Sequence, residues 1–291
     1  MTIKNRKGNT ILPSFIDNQH YINNMQYNSV TLWMGIIVAG MVIAAGCDNS
    51  KNDENPREQE LTAKQHIEAY IADHWEAYGY SEKPAKYIAL SFDDGPCAPS
   101  HNGGTAALLA ALQAASVKAT FFVIGQNVRS NRAAAQAIVD AGHELGNHSD
   151  GYDSLGGKTV EAINASLGAA SWAISEITGK DPVLFRAPNL NHGHNLSSVC
   201  ADRGMALIDG IAHNDWPGSS AAIKSSVLAN AQDGGIIILH ENNTSQGNTM
   251  AVLPEIISGL REKGFWIMTV SELAVVKERT PEAGTRYGSL P

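Results

Sequence analysis

Cysteine and clustered positive charge are both scarce in this 291-residue chain. Three cysteines are too few for a disulfide framework or a thiolate metal cluster. The 21 Lys and Arg residues are scattered, the net charge is -8, and no basic block offers a footprint for nucleic acid. No nucleic-acid partner is therefore expected. Hydrophobic residues make up 43% and charged residues 17%, an ordinary globular balance with room for a full core. With no global field to steer a partner, function has to come from a local site.

The cysteines say more by place than by number. Cys47 closes the apolar run "TLWMGIIVAGMVIAAGC", which has the length of a signal-peptide core and small residues ahead of the Cys. That pattern resembles a bacterial lipoprotein signal, in which the Cys is lipidated and becomes the mature N-terminus. Lys4, Arg6 and Lys7 lie far upstream, so Met25 and Met34 are alternative starts. A simple anchor or cleaved signal is the other reading of the run. Either way the domain is expected outside the cytoplasm, in the cell envelope, with an N-terminal lipid or anchor holding it to the membrane. Cys97 and Cys200 then remain available for a disulfide in an oxidising compartment.

Residues 1–47 are read as targeting sequence and 48–60 as a polar linker. Over 61–85, Leu61, Ile67, Tyr70, Ile71 and Trp75 recur at roughly helical spacing and predict a short amphipathic helix. The main domain is placed at 86–278, with 279–291 as a C-terminal tail. Within it, short apolar runs alternate with Ala-rich helical segments. The runs are "YIALSF", "ATFFVIG", "HELGNHS", "VLFRAP", "MALIDGI", "GGIIILH" and "GFWIMTV". About seven strands with helical crossovers predict an α/β fold with a largely parallel sheet or barrel. The runs are too continuously apolar for one wet face, so both faces are covered. In such folds the chemistry sits at the C-terminal ends of the strands.

Those ends carry ionisable groups. "YIALSF" ends at Asp93-Asp94, "HELGNHS" at Asn147-His148, "VLFRAP" at Arg186 and "IIILH" at His240; Asp215-Trp216 follow "MALIDGI". Adjacent aspartates repel, so the first pair needs a positive partner. One carboxylate and an imidazole on separate strand ends can hold a divalent cation such as zinc. The second carboxylate then stays off the cation and takes a proton from water that the cation acidifies. Arg186 is the candidate partner for that second carboxylate. His240 is placed to protonate a leaving group, and Asp215 to orient it and favour its charged form.

The motifs "SFDDGP", "HSDGYD", "RAPNLN", "HNDW" and "IIILH" occur in the order of the five motifs of the polysaccharide deacetylases, carbohydrate esterase family 4. The resemblance spans roughly residues 86–275. It implies a distorted (β/α) barrel, one divalent metal ion and removal of acetyl groups from a glycan; the protein is expected to be a monomer. It further implies that Asp93 is the base, Asp94 and His148 are metal ligands, Arg186 steadies the base, and His240 is the acid supported by Asp215. Trp216 and Leu239 would shape a pocket for the acetyl methyl, and a backbone N–H near Asn189 would help stabilise the oxyanion. The chain departs from the family where a second ligand histidine is usual: Tyr152 stands there, with Asp150 and Asp153 as nearby acidic substitutes. Water can fill the place, and harder oxygen ligands shift preference from zinc toward ions such as cobalt and manganese. Tyr152, "PNL" and "NDW" resemble the acetylxylan-esterase branch, so O-acetylated xylan is the expected substrate. N-acetylated amino-sugar polymers, chitin or peptidoglycan, are the alternative. An inactive glycan-binding module is the alternative from another class.

The other histidines take blander readings. His143 is read as structural, and His192 and His194 as loop residues near substrate. His213 is left unassigned; His101 and "ENNTSQG" are read as bordering the cleft, and Trp266 as core.

Overall fold

The computed structural model describes residues 56–100, 103–152, 154–213, 215, 218–241 and 246–291. The expected targeting segment with Cys47, most of the linker, His101, Asp153, Trp216 and residues 242–245 lie outside the described residues. The chain divides into units 1–59 and 60–291, and the account below concerns the second.

Nine strands are present among the described residues. They are β1 (Lys86–Asp93), β2 (Thr120–Val123), β3 (Glu144–Asn147), β4 (Leu184–Phe185), β5 (Ala206–Ile208), β6 (Ile211–Ala212), β7 (Gly235–His240), β8 (Phe265–Met268) and β9 (Arg286–Tyr287). Their order is β6-β7-β1-β2-β3-β4-β5-β9, every strand pair is parallel, and β8 pairs with the first half of β1. The result is a curled half-barrel covered by helices, the distorted α/β barrel that the sequence predicts. All seven expected runs form strands; the two-residue β6 and β9 are additional.

The alternation along β1 sets the layers. Ile88, Leu90 and Phe92 pack into a core cluster with Leu108, Leu112, Ile223, Val227, Leu253 and Ile256 from the helices outside the sheet. Ser91 and Asp93, one step out of phase, face the interior of the curl and are buried too. That is why the run reads as continuously apolar up to its last residues.

The helices are α1 (Pro56–His74), α2 (Gly104–Ala114), α3 (Gly125–Ser130), α4 (Arg132–Asp140), α5 (Val160–Thr178), α6 (Leu196–Asp202), α7 (Ser220–Asn230), α8 (Gln246–Glu262) and α9 (Val270–Val276). Ordinary caps start several of them: Thr159 accepts from Ala162 N–H before α5, Ser219 from Ala222 N–H before α7, and Thr269 with Glu272 forms a capping box before α9. The predicted leading helix forms but begins earlier, inside the expected linker. It buries Ala63, Ile67 and Ile71 at four-residue spacing. Trp266 is core as expected, with Tyr80 stacked on it at 5.3 Å and donating to the Phe265 carbonyl at 2.8 Å.

The residues after 278 join the sheet. β9 pairs with β5, Asp209 N–H donates to Tyr287 O at 2.8 Å, and Leu290 N–H to Gly234 O at 2.8 Å. Leu290 is buried at the base of β7. Gly234 is required there: its φ is +75°, and a Cβ would come within 2.3 Å of Leu290 O. Cys97 and Cys200 are both free buried thiols, so the pairing left open by the sequence does not form. No described helix is long and apolar enough to cross a membrane.

Candidate active site

The rim at the C-terminal strand ends assembles around Arg186, which is fully buried over the Phe122 ring at 4.0 Å. Each of its three nitrogens is engaged. Nη1 reaches Asp93 Oδ1 at 2.6 Å and Ser91 Oγ at 2.8 Å; Nε reaches Ile208 O at 2.9 Å, and Nη2 reaches Asp209 O at 3.1 Å. This locks the guanidinium in one orientation against one face of Asp93. Burial pushes the Asp93 carboxyl up, but Arg186, by its charge and its hydrogen bond, and the charge of His240 outweigh it and hold the group below the usual carboxylate range.

Adjacent residues of a strand point to opposite faces, so Asp93 and Asp94 would part company had the strand continued. Asp94 instead has a left-handed backbone, φ 75°. The turn puts Asp94 Oδ1 3.5 Å and Asp93 Oδ2 3.9 Å from the same atom, His148 Nε2. Asn127 secures this turn through Nδ2, which donates to Asp94 O at 2.7 Å and to the Tyr152 hydroxyl at 2.9 Å. Glu241 secures the other side. Its buried carboxyl accepts from Thr105 Oγ1 and from Cys97 N–H, and burial pushes it up to about 7. Gly95 leaves room for it, since a Cβ there would stand 2.0 Å from Glu241 Oε2.

His148 Nδ1 lies 2.8 Å from Arg186 O. A carbonyl only accepts, so Nδ1 carries a proton, and Nε2 is turned to the aspartates. Opposite, His240 Nδ1 lies 2.7 Å from Asp215 Oδ1, while His240 N–H and Thr249 Oγ1 donate to Oδ2 at 2.8 and 3.2 Å. Burial would lower the imidazole pKa. The Asp215 hydrogen bond and the charges of Asp93, Asp215 and Asp94 overcome that and push it up to about 9.

The structure thus brings together Asp93, Asp94, His148, Arg186, Asp215 and His240. Tyr152 sits at the exposed edge, its hydroxyl 3.5 Å from Asp94 O. Asn189 lies on the turn after β4 with φ 56°. Leu239 does not belong: it is fully buried in the cluster shared with the helices, because strand alternation sends it away from the face on which His240 lies. Ile238, two residues before His240, takes the inward position. Asp150 is not a spare ligand, since Arg129 clasps both its oxygens at 2.7 and 3.0 Å. His143 is structural: it accepts from Ala119 N–H at 3.1 Å, and burial together with Lys118 pulls it down to about 3. His213 is buried and turned to Ser226, 3.1 Å away. Asp209 and Asn127 were not anticipated, and Glu241, the first residue of "ENNTSQG", was expected only to border the cleft. Asp209 had a signal, since it ends "MALI" as Asp93 ends "YIALSF".

Asp94 and His148 are the residues able to hold a metal ion, with the Tyr152 phenol at the edge. Among the described residues no group of three or more His, Cys, Asp and Glu is so arranged. A carboxylate fixed by arginine, facing a histidine fixed by aspartate, is an arrangement able to supply a base and an acid to a hydrolysis.

The comparisons agree with that class of enzyme. Residues 80–208 match the family model for polysaccharide deacetylase. A bifunctional xylanase/deacetylase of Pseudobutyrivibrio xylanivorans is 38% identical over 208 residues, 70% of this chain and 33% of that protein. A peptidoglycan-N-acetylglucosamine deacetylase of Bacillus cereus is 30% identical over 193 residues, 65% of this chain and 88% of that protein. A family 4 acetyl xylan esterase from Clostridium thermocellum, solved with a cobalt ion, superposes with a TM-score of 0.66 at 32% identity, over 71% of this chain and 100% of that one. This chain belongs to the polysaccharide deacetylases, carbohydrate esterase family 4.

Proposed function

We propose that the protein is a metal-dependent esterase that removes O-acetyl groups from xylan or its fragments. The observation that carries this reading is the posture of His148. Its Nδ1–H is spent on the Arg186 carbonyl and its Nε2 is presented to Asp94, as a ligand imidazole is presented by its outer hydrogen bond. Asp94 and His148 would hold a divalent ion, zinc, cobalt or manganese, with water and the Tyr152 phenol completing the site. Such an ion, when bound, acidifies water and polarises an ester carbonyl.

Asp93 accepts the proton of the attacking water as its oxygen bonds to the acetyl carbon. Arg186 keeps Asp93 ionised and oriented for that transfer. The negative charge on the former carbonyl oxygen faces the peptide N–H presented at Asn189. As the bond from acetyl carbon to sugar oxygen breaks, His240 Nε2 gives its proton to the departing oxygen and Asp215 holds the imidazole in place. Acetate leaves, and solvent returns the proton from Asp93 to His240. Ile238 takes the place expected of Leu239 beside the acetyl methyl.

Xylan is favoured by Tyr152 and by the two xylan-directed relatives, although this chain spans only a third of the length of the first. Acetylated glycan is the expected partner, and Cys47 the expected tether in the envelope. Acetate release decides the matter, from acetylated xylan and from an N-acetylglucosamine oligomer, after chelation and re-addition of each ion. Metal-restored release from xylan alone is expected. Release from the amino sugar alone would move the enzyme to peptidoglycan or chitin. Silence on both from folded protein would leave an inactive glycan-binding module.

A further inference from the structure

We propose that His192 and Asp209 form a latch holding the turn that presents the Asn189 peptide N–H to the reacting carbonyl. The proposal rests on the deacetylase reading above, and makes His192 a positioning residue.

The turn needs holding. Asn189 and Leu190 are consecutive non-glycine residues in the left-handed region, at φ 56° and 52°, and each costs conformational free energy that the surroundings must supply. Beyond Asn191 Nδ2, which donates to Ser154 Oγ at 2.8 Å, the support is two backbone bonds within the turn. Leu190 N–H donates to Ala187 O at 2.9 Å and Asn191 N–H to Pro188 O at 3.2 Å. Asn189 is exposed and Leu190 half-buried, so packing contributes little. The preceding strand, β4, has two residues.

His192 closes the turn against something rigid. Its Nε2 lies 3.1 Å from Asp209 Oδ1, at ion-pair distance though off the hydrogen-bond line. Asp209 is 4% exposed, and its other oxygen is paired with Arg286 of β9. Its carbonyl accepts from Arg186 Nη2, and its N–H is bonded to Tyr287 O. One residue thus grips the arginine behind the base with its main chain and the donor turn with its side chain. A buried carboxyl group tied to Arg286 by its side chain, and to Arg186 and Tyr287 by its main chain, is a stiff anchor, because parting from Arg286 would leave charge unpaired. The contact is the close approach of a side-chain nitrogen to a buried carboxyl oxygen, so a lysine nitrogen reaching Asp209 from position 192 serves as well.

A donor that acts on the oxyanion stabilises the transition state more than the bound ester. Loosening it lowers kcat and leaves KM alone. Outright loss of one such donor costs about 10²–10³-fold in kcat; a loosened one is expected to cost about tenfold. The test uses His192→Ala, His192→Lys and the wild type. His192→Ala is expected to lose about tenfold in kcat on the wild-type substrate. KM, the metal concentration for half activity and the denaturation midpoint stay unchanged, and amides of 187–195 exchange faster with deuterium. His192→Lys recovers most of the loss. Equal kcat in wild type and His192→Ala would overturn the latch alone. So would a kcat loss shared with metal affinity and midpoint, which marks a merely structural role. A wild type silent on both glycans would overturn the latch together with the deacetylase reading.

Discussion

Asp93 and Asp94 are neighbours to which the proposed mechanism gives different tasks, and the difference lies in one backbone angle and one guanidinium. Asp93 is on the strand, inside the reach of Arg186; Asp94 is past the left-handed turn, at the open side of His148. Asp93→Asn is expected to cut kcat by about 10²–10⁴-fold while divalent-ion binding, measured by calorimetry, persists. Asp94→Asn is expected to weaken the binding itself. Equal loss of metal in both variants would contradict the division. His240 makes a second prediction. As an acid it works below its pKa, which Asp215 and the site carboxylates lift to about 9, so kcat/KM should fall as pH rises through about 9. Asp215→Asn removes the largest of the raising contributions. The alkaline limb of the kcat/KM profile should then move down toward the ordinary histidine value; a limb that stays put would assign it to another group.

The Ala-rich segments and apolar runs were legible because each buries a face, and burial writes a period into the local sequence. The C-terminal segment had no such period. "RYGSL" pairs with β5 over two residues and drops Leu290 into a site beside Gly234. A residue so placed contributes like a core leucine. Leu290→Ala should therefore cost about 2–5 kcal/mol in urea denaturation with an unchanged m value. A loss below about 0.5 kcal/mol, usual for surface substitutions, would mean that the segment adds nothing to the fold.

The domain holds itself together without covalent staples. Cys97 lies in the loop after β1 and Cys200 on α6, in an apolar cluster with Leu196 and Val199. Burial pushes both thiols up, Cys200 to about 12, so neither is a ready nucleophile. Reductant should leave the denaturation midpoint of residues 60–291 unchanged, and a thiol reagent should label these two cysteines only in denaturant. A midpoint lowered by reductant would reveal a bridge.

The chain's own letters determined the strand-and-helix alternation, the ionisable groups at the strand ends, and the need of the Asp93-Asp94 pair for a positive partner. These follow from residue type and near neighbours, and such patterns are local. Tertiary structure decided who meets whom. Asp150 is spent on Arg129, 21 residues away, and Asp209 on Arg286, 77 residues away. Leu239 faces the helices and Ile238 the site, a parity visible in the sequence once His240 is set inward. The partners themselves were not visible, because ion pairs and hydrogen bonds between strands depend on strand order. That order comes from how the whole sheet curls, and no window of sequence contains it.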